Sequence, residues 1–282
     1  MNYRHAFHAG NFADVMKHVL LVRMLVHLRR KDTAFRVIDT HAGIGFYDLS
    51  APEAIRTGEW RDGIGRLEQP FDGAVEELLQ PYREILAGMR ARHGNSCYPG
   101  SPAITRELLR RNDRAIFIEK HELDGELLRE RFNTVRNTKV LRADGWAALG
   151  GLVPPKEKRG LVLIDPPYEE AGELMSAIGR LGRATRKWPT GVFTLWYPVK
   201  LRTTTDSFAA ALSAALPAPA IRIELLIDAP NDPARLSGSG LVVVNPPWTL
   251  EAEAPAILAA LAERLGRTAA AGFKVERLAT PA

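Results

Sequence analysis

Short aliphatic stretches alternating with amphipathic helices predict an α/β protein built on one doubly wound, mostly parallel sheet. Three observations carry that reading. Seven segments read as strands (35–39, 115–119, 139–142, 160–165, 191–197, 221–228 and 239–245), and helix-period sequence separates most of them. Leu161-Val162-Leu163-Ile164 is apolar on both faces, as a strand covered by helices on either side must be. Four strand ends in succession carry an acid: Asp39, Glu119, Asp144 and Asp165. That carboxyl edge is where open α/β sheets bind ligands.

Composition bounds the class. A chain of 282 residues can bury the core of a single domain over 1–282, with a modest insertion. Hydrophobic content of 46% and charged content of 25% are those of a soluble globular protein. The lone cysteine, Cys97, excludes an internal disulfide and fits a reducing cytoplasm. Met1-Asn2-Tyr3-Arg4-His5 does not read as a signal peptide. The apolar run from Val19 to Leu28 is broken by Arg23 and His27 and is too short to span a bilayer, so no membrane partner is expected. Net charge is +5. Within residues 1–31, Arg4, Lys17, Arg23, Arg29, Arg30 and Lys31 stand against Asp14 alone. This excess can face a phosphate backbone or form a solvated helix face.

Residues 1–10 show little periodicity but carry Tyr3, Arg4, His5, Phe7 and His8. Asn11 caps a helix with Asp14 three residues on, a capping-box variant. Phe12, Val15, Met16, Val19, Val22 and Val26 recur at helical spacing, and Arg29-Arg30-Lys31 closes the helix where cations are favoured. After the strand at 35–39, Thr40-His41-Ala42-Gly43-Ile44-Gly45 forms a tight loop. Its Gly-x-Gly lacks the third glycine of a dinucleotide fingerprint, and an ordinary strand-to-helix turn fits it equally well. Residues 48–97 interrupt the alternation and read as a helical insertion without a strand, with a helix near 74–92. Tyr98-Pro99-Gly100-Ser101-Pro102 then opens a helix over 103–111. Helices follow near 122–133, 173–187, 207–216 and 254–265. Arg180, Arg183, Arg186 and Lys187 on the second of these can track phosphates or simply face water.

The chemistry concentrates at Asp165-Pro166-Pro167-Tyr168. Two prolines stop the strand, making Asp165 its last residue and hanging the tetrapeptide over the sheet edge. These residues suit methyl transfer to an amino group conjugated with an aromatic ring, whose lone pair is delocalised. The Asp165 carboxylate and the Pro166 carbonyl can each accept one N–H and favour a pyramidal nitrogen. Tyr168 offers a face for an extruded base. The tetrapeptide resembles the signature of S-adenosylmethionine-dependent amino-methyltransferases. Asn245-Pro246-Pro247-Trp248 fits the same pattern, so the motif alone does not choose. Chain order does: an acid on the second strand (Glu119) suits a ribose diol, one on the third (Asp144) an adenine amino group, and the glycine loop the cofactor's tail. Asp165 follows those ends. Asn245 closes the last predicted strand and reads as a structural exit.

With these pieces together the chain resembles the bacterial 23S ribosomal RNA adenine-N6-methyltransferases of the RlmJ type, nearly end to end. The segments that carry the likeness are 3–11, 39–43, Arg56-Thr57-Gly58-Glu59, Tyr98-Pro99-Gly100-Ser101-Pro102, Leu195-Trp196-Tyr197-Pro198 and the Asn245 exit. The resemblance implies a Rossmann-like class I methyltransferase fold. It implies S-adenosylmethionine contacts at His18, His41, Ser101, Glu119, Asp144, Gly145 and Asp165, with Asp165 also the proton acceptor for the adenine. It implies substrate RNA contacts at Tyr3, on a mobile tail over 1–10, with His5 and Lys17 nearby. A monomer acting on 23S rRNA is expected.

Rival readings remain. Guanine N2 in rRNA or adenine N6 in DNA would use the same tetrapeptide. A non-catalytic nucleic-acid-binding or DNA-uptake protein could keep the fold. His5-x-x-His8 hints at a metal, but no acid or cysteine nearby has ligand spacing, and none is expected.

Overall fold

The computed structural model describes residues 4–170 and 172–278. Helix α1 (Phe12–Leu28) leads into β1 (Phe35–Asp39). An excursion follows through β2 (Phe46–Asp48), α2 (Pro52–Thr57), two 3-10 turns (Glu59–Asp62 and Ile64–Leu67), α3 (Gly73–His93) and β3 (Cys97–Pro99). Alternation then resumes with α4 (Ser101–Leu108), β4 (Arg114–Glu119), α5 (Glu122–Phe132), β5 (Thr138–Arg142), α6 (Gly145–Leu152) and β6 (Arg159–Ile164). The chain continues through α7 (Glu173–Lys187), β7 (Val192–Val199), α8 (Arg202–Ala215), β8 (Ala220–Leu226), β9 (Gly238–Val244), α9 (Trp248–Leu265) and β10 (Gly272–Leu278).

The main sheet runs β10-β8-β9-β7-β6-β1-β4-β5, eight strands where the sequence predicts seven. The extra one, β10, pairs antiparallel with β8 at an edge. Its Lys274, Glu276 and Arg277 break the aliphatic signature by which the other strands were recognised, and such charges suit an edge strand. Strands β5, β4, β1, β6 and β7 are parallel neighbours, while β9 runs antiparallel to both β7 and β8. That reversal sends the two Pro-Pro exits to opposite edges. Val244 pairs with Phe193 at the start of β7, so Asn245 lies at the amino edge of the parallel strands, away from Asp165. The order of strands turns between β1 and β6, and Asp39 and Asp165 flank that crevice.

Helix α1 is buried almost all round, between the sheet and α3, α4 and α9. Its cations therefore divide. Lys17 and Arg23 are buried and ion-paired, Arg23 with Glu253 at 2.7 Å. Arg29, Arg30 and Lys31 are exposed at the far end. The amino-terminal charge is not one phosphate-facing patch, because burial allows a cation only beside a carboxylate.

The excursion is closed by pairing of β2 with β3, Tyr47 opposite Tyr98, a ribbon absent from the sequence reading because each strand has only three residues. Helix α9 starts at Trp248, earlier than the predicted 254, and carries Pro255 inside it. Strand β6 ends at Ile164, so Asp165 lies one residue beyond it rather than being its last residue, with the two prolines following directly.

Candidate active site

A cavity of about 540 Å³ opens at the carboxyl edge of the parallel strands. Asp165, Pro166, Pro167 and Tyr168, which follow β6, line it between residues at the end of β7 and residues at the ends of β1 and β4. One arm is lined by His18, His41, Gly43, Ser101 and Glu119, the other by Trp196, Pro198, Lys200, Arg235 and Arg267. His5 and Lys17 line the wall above Asp165. Seven parts of the chain distant in sequence are thus brought to one carboxylate.

The first turn of α1 supplies the electrostatics. Asn11 caps it, its Oδ1 accepting from the N–H groups of Ala13 and Asp14 at 3.0 Å. Asp14 reaches back to accept from Gly10 N–H at 3.0 Å. The fully buried Asp14 carboxylate also meets His5 Nε2 at 2.8 Å and Lys17 Nζ at 2.9 Å. Burial opposes its charge, but His5 and Lys17 overcome that cost and hold the carboxyl well below its usual range. Lys17 Nζ bonds in turn to Asp165 Oδ2. Burial works against the ammonium, yet the two carboxylates outweigh it and raise Lys17 above its ordinary value. The chain His5–Asp14–Lys17–Asp165 fixes one oxygen of Asp165. Spacing at i, i+3 and i+4 (Asp14, Lys17, His18) was the signal for this hub; the sequence reading took Asp14 only as a cap.

The donor-side arm is built from strand ends. Glu119 Oε2 accepts from Gly43 N–H at 2.8 Å and Oε1 from His121 N–H at 2.8 Å, and burial raises its pKa. Gly43 has φ +58, and a Cβ there would stand 2.3 Å from the Tyr47 hydroxyl. Ser101, at the start of α4, donates to Asp39 Oδ2 at 2.6 Å. Burial pushes the Asp39 carboxyl up to about 7, with Asp165 adding to the rise. His18 is buried against Tyr98, ring nitrogen to hydroxyl 2.8 Å, and burial pushes it down to about 3. Burial likewise lowers His41 to about 4. Both imidazoles are neutral at physiological pH.

Not every predicted residue joins the cavity. Asp144 and Gly145 stand outside its lining. Asp144 Oδ1 caps α6 through Ala147 N–H at 3.0 Å, and Oδ2 meets the exposed Lys120 ammonium at 3.1 Å. Gly145 lets α6 approach the loop after β1, since a Cβ would lie 2.0 Å from the Thr40 carbonyl oxygen. Tyr3 lies outside the described residues. Tyr168, with φ +50, donates its hydroxyl to the Trp196 carbonyl at 2.6 Å, and the two rings lie 5.9 Å apart. Trp196 was missed by the sequence reading as a site residue.

The excursion between β2 and β3 grips the segment that carries His5. The Arg56 guanidinium lies 4.2 Å from the Phe7 ring centroid, and Thr57 donates to the Phe7 carbonyl. Glu59 meets His8 at 3.0 Å and accepts from Asn11 Nδ2 at 3.0 Å. Gly63 passes so close to Gly10 that a Cβ would sit 2.1 Å from its carbonyl oxygen. Among the described residues no group of His, Cys, Asp and Glu is placed to hold a metal ion, and no helix is long and apolar enough to cross a membrane.

A parallel sheet of this order, with one antiparallel strand inserted beside β7 and acids around its switch point, defines a Rossmann-like class I methyltransferase. Residues 32–278 match the family model described as "Ribosomal RNA large subunit methyltransferase D, RlmJ", and the chain belongs to that family. A Haemophilus influenzae "Ribosomal RNA large subunit methyltransferase J" is 38% identical over 281 residues, 98% of each chain. The protein of the same description from Escherichia coli K12 is 38% identical over 265 residues, 94% of each. A crystal structure of a Legionella pneumophila protein superposes with a TM-score of 0.83 at 31% identity, covering 95% of this chain and 98% of that one. The chain is an enzyme, and the methyl donor of its class is S-adenosylmethionine.

Proposed function

We propose that this chain methylates the N6 amino group of an adenine in 23S ribosomal RNA, as a cytoplasmic monomer. The observation that carries the reading is the position of Asp165 between a donor-side arm and a second arm of one cavity. S-adenosylmethionine supplies an activated methyl group, so the protein's work is positioning and dipole placement. The donor-side residues fit it. Glu119 keeps lone pairs for a ribose diol beyond its two backbone partners. Gly43 leaves room for the tail, and Ser101 and the neutral His18 and His41 line the same arm. Asp144 and Gly145 join through the α6 end once the exposed Lys120 pair, a weak contact, gives way.

At the acceptor side, Lys17 holds Asp165 Oδ2, and Oδ1 is left for one amine N–H. The Pro166 carbonyl takes the other. The nitrogen lone pair then points at the methyl group. With S-adenosylmethionine bound, transfer of its sulfonium methyl would leave the amine with one proton in excess, which the Asp165 carboxylate would accept. Tyr168 and Trp196 give the adenine an apolar wall, and His5, which lines the same cavity, contacts the RNA together with Tyr3.

Calorimetric titration with S-adenosylmethionine and mapping of N6-methyladenosine in 23S rRNA from a deletion strain test the reading together. One binding site is expected, with one methylated adenine lost on deletion and restored by the gene. No cofactor binding would indicate a non-catalytic nucleic-acid binder. A lost mark on guanine N2 or on DNA would indicate a different acceptor.

A further inference from the structure

The acceptor arm of the cavity ends in three cations from three separate connections. Lys200 follows β7, Arg235 lies between β8 and β9, and Arg267 lies between α9 and β10. None belongs to the donor-side arm, and all border the same continuous space as Asp165. Two of them are braced from behind. Arg235 Nη1 meets Asp228 at 2.9 Å, while the side chain remains 53% exposed. Arg267 Nη2 meets Asp62 at 3.4 Å, and its backbone N–H is fixed to the Ile227 carbonyl at 2.8 Å. A guanidinium has five N–H donors, so one carboxylate contact orients it and leaves most of them for an anion. Lys200 is exposed and has no ion pair among the described residues.

We propose that Lys200, Arg235 and Arg267 form a clasp for the phosphodiesters flanking the target nucleotide, an inference that rests on the proposed methylation of RNA. An adenine drawn out of an RNA strand brings only its base into the apolar wall of Tyr168 and Trp196. Its ribose and phosphates stay at the mouth, where these cations stand. The loops around the mouth set which backbone path reaches Asp165, and therefore contribute positioning rather than base recognition. Asp62 and Asp228 offset the mutual repulsion that would otherwise spread the two guanidinium groups.

The test is methyl transfer to 23S rRNA by the full chain, with Lys200→Ala, Arg235→Ala and Arg267→Ala made singly and together. The triple variant is expected to raise KM for RNA several-fold while leaving kcat at saturating RNA near wild type. The slope of log kcat/KM against log salt should become shallower by about 2, since each phosphate contact on a single strand contributes roughly 0.7. Arg235→Lys, which keeps the charge, should recover part of the salt dependence. Calorimetric affinity for S-adenosylmethionine reports the integrity of the fold and the other arm, and should not change. An unchanged KM and salt slope in a triple variant that still binds S-adenosylmethionine overturns the clasp alone. A wild-type chain that binds S-adenosylmethionine but does not methylate RNA overturns the functional reading and the clasp with it.

Discussion

The two Pro-Pro exits of this sheet have nearly the same residues and opposite surroundings. Asp165-Pro166-Pro167-Tyr168 leaves a parallel strand at the edge where Asp39 and Glu119 also end, and faces a cavity. Asn245-Pro246-Pro247-Trp248 leaves an antiparallel strand at the other edge. There the Asn245 amide donates to the carbonyls of Pro189 and Gly191, both at 2.8 Å, in a left-handed conformation at φ +53. Both N–H donors of its side chain are used on nearby backbone, and Trp248 stands 69% exposed beside Arg30 and His27. Asp165 instead spends one oxygen on Lys17 and keeps the other toward the cavity. A motif becomes a site when the fold turns its acceptor toward a cavity.

The largest expected contrast follows from that difference. Asp165→Ala should lower turnover on the order of a hundredfold or more, as for a lost preorganised polar contact. Asn245→Ala should leave turnover unchanged and instead cost about 1–2 kcal/mol of stability for two lost hydrogen bonds. A radiolabelled-methyl assay and a urea melt of both variants read the pair. Comparable activity losses at the two positions would mean that the edges are not functionally distinct.

Chain order made this choice legible without coordinates, because Asp165 directly follows the acid-bearing strand ends at 39, 119 and 144, whereas Asn245 sits on the last predicted strand with one helix after it. Most of the sheet was legible for the same reason, since fully buried strands are aliphatic from end to end. The parts that escaped are those in which charge and burial trade places. The edge strand at Gly272–Leu278 carries Lys274, Glu276 and Arg277, so it does not look like a strand. Lys17 looks like a surface cation and is buried, because Asp14 and Asp165 come to it from one turn away and from far along the chain. Asp144, read as an adenine ligand from its place in the order, also caps a helix with one oxygen. Partners distant in sequence decide such cases, and a linear reading does not contain them.

A smaller contrast concerns the aromatic ends of the two motifs. Tyr168 is anchored by its hydroxyl and stands beside Trp196, so Tyr168→Ala should cost about 1–3 kcal/mol of base stacking, read as a loss in kcat/KM for RNA. Trp248→Ala, at the opposite edge, should leave kcat/KM within error. If Trp248 proved the sensitive ring, the base would have to approach from the amino edge of the sheet, and the cavity around Asp165 would lose its assignment.

The smallest effect separates the edges by pH. The Asp165 edge buries His18 as a neutral imidazole, with Asp14 pulling its pKa up and Lys17 and His5 pushing it down, and with Tyr98 against its ring. Its folded value of about 3 lies below the ordinary 6.5 of the unfolded chain. Protons therefore bind the unfolded state first. The stabilisation is complete above pH 6.5 and drains as pH falls toward 3. Between about pH 6 and pH 5 the loss from His18 is roughly 1 kcal/mol. Asp39, raised to about 7, works in the opposite sense over that interval, because the folded state keeps its proton while the unfolded state gives it up. His41, lowered to about 4, adds to the His18 loss, so wild-type stability should still fall from pH 6 to pH 5, with Asp39 offsetting part of the fall. His18→Gln removes the His18 share of this balance, so its stability relative to wild type should improve by roughly 1 kcal/mol on going from pH 6 to pH 5. A difference that stays constant with pH would show that His18 gains its proton inside the folded protein, and that the pocket around it is wetter than its burial against Tyr98 implies.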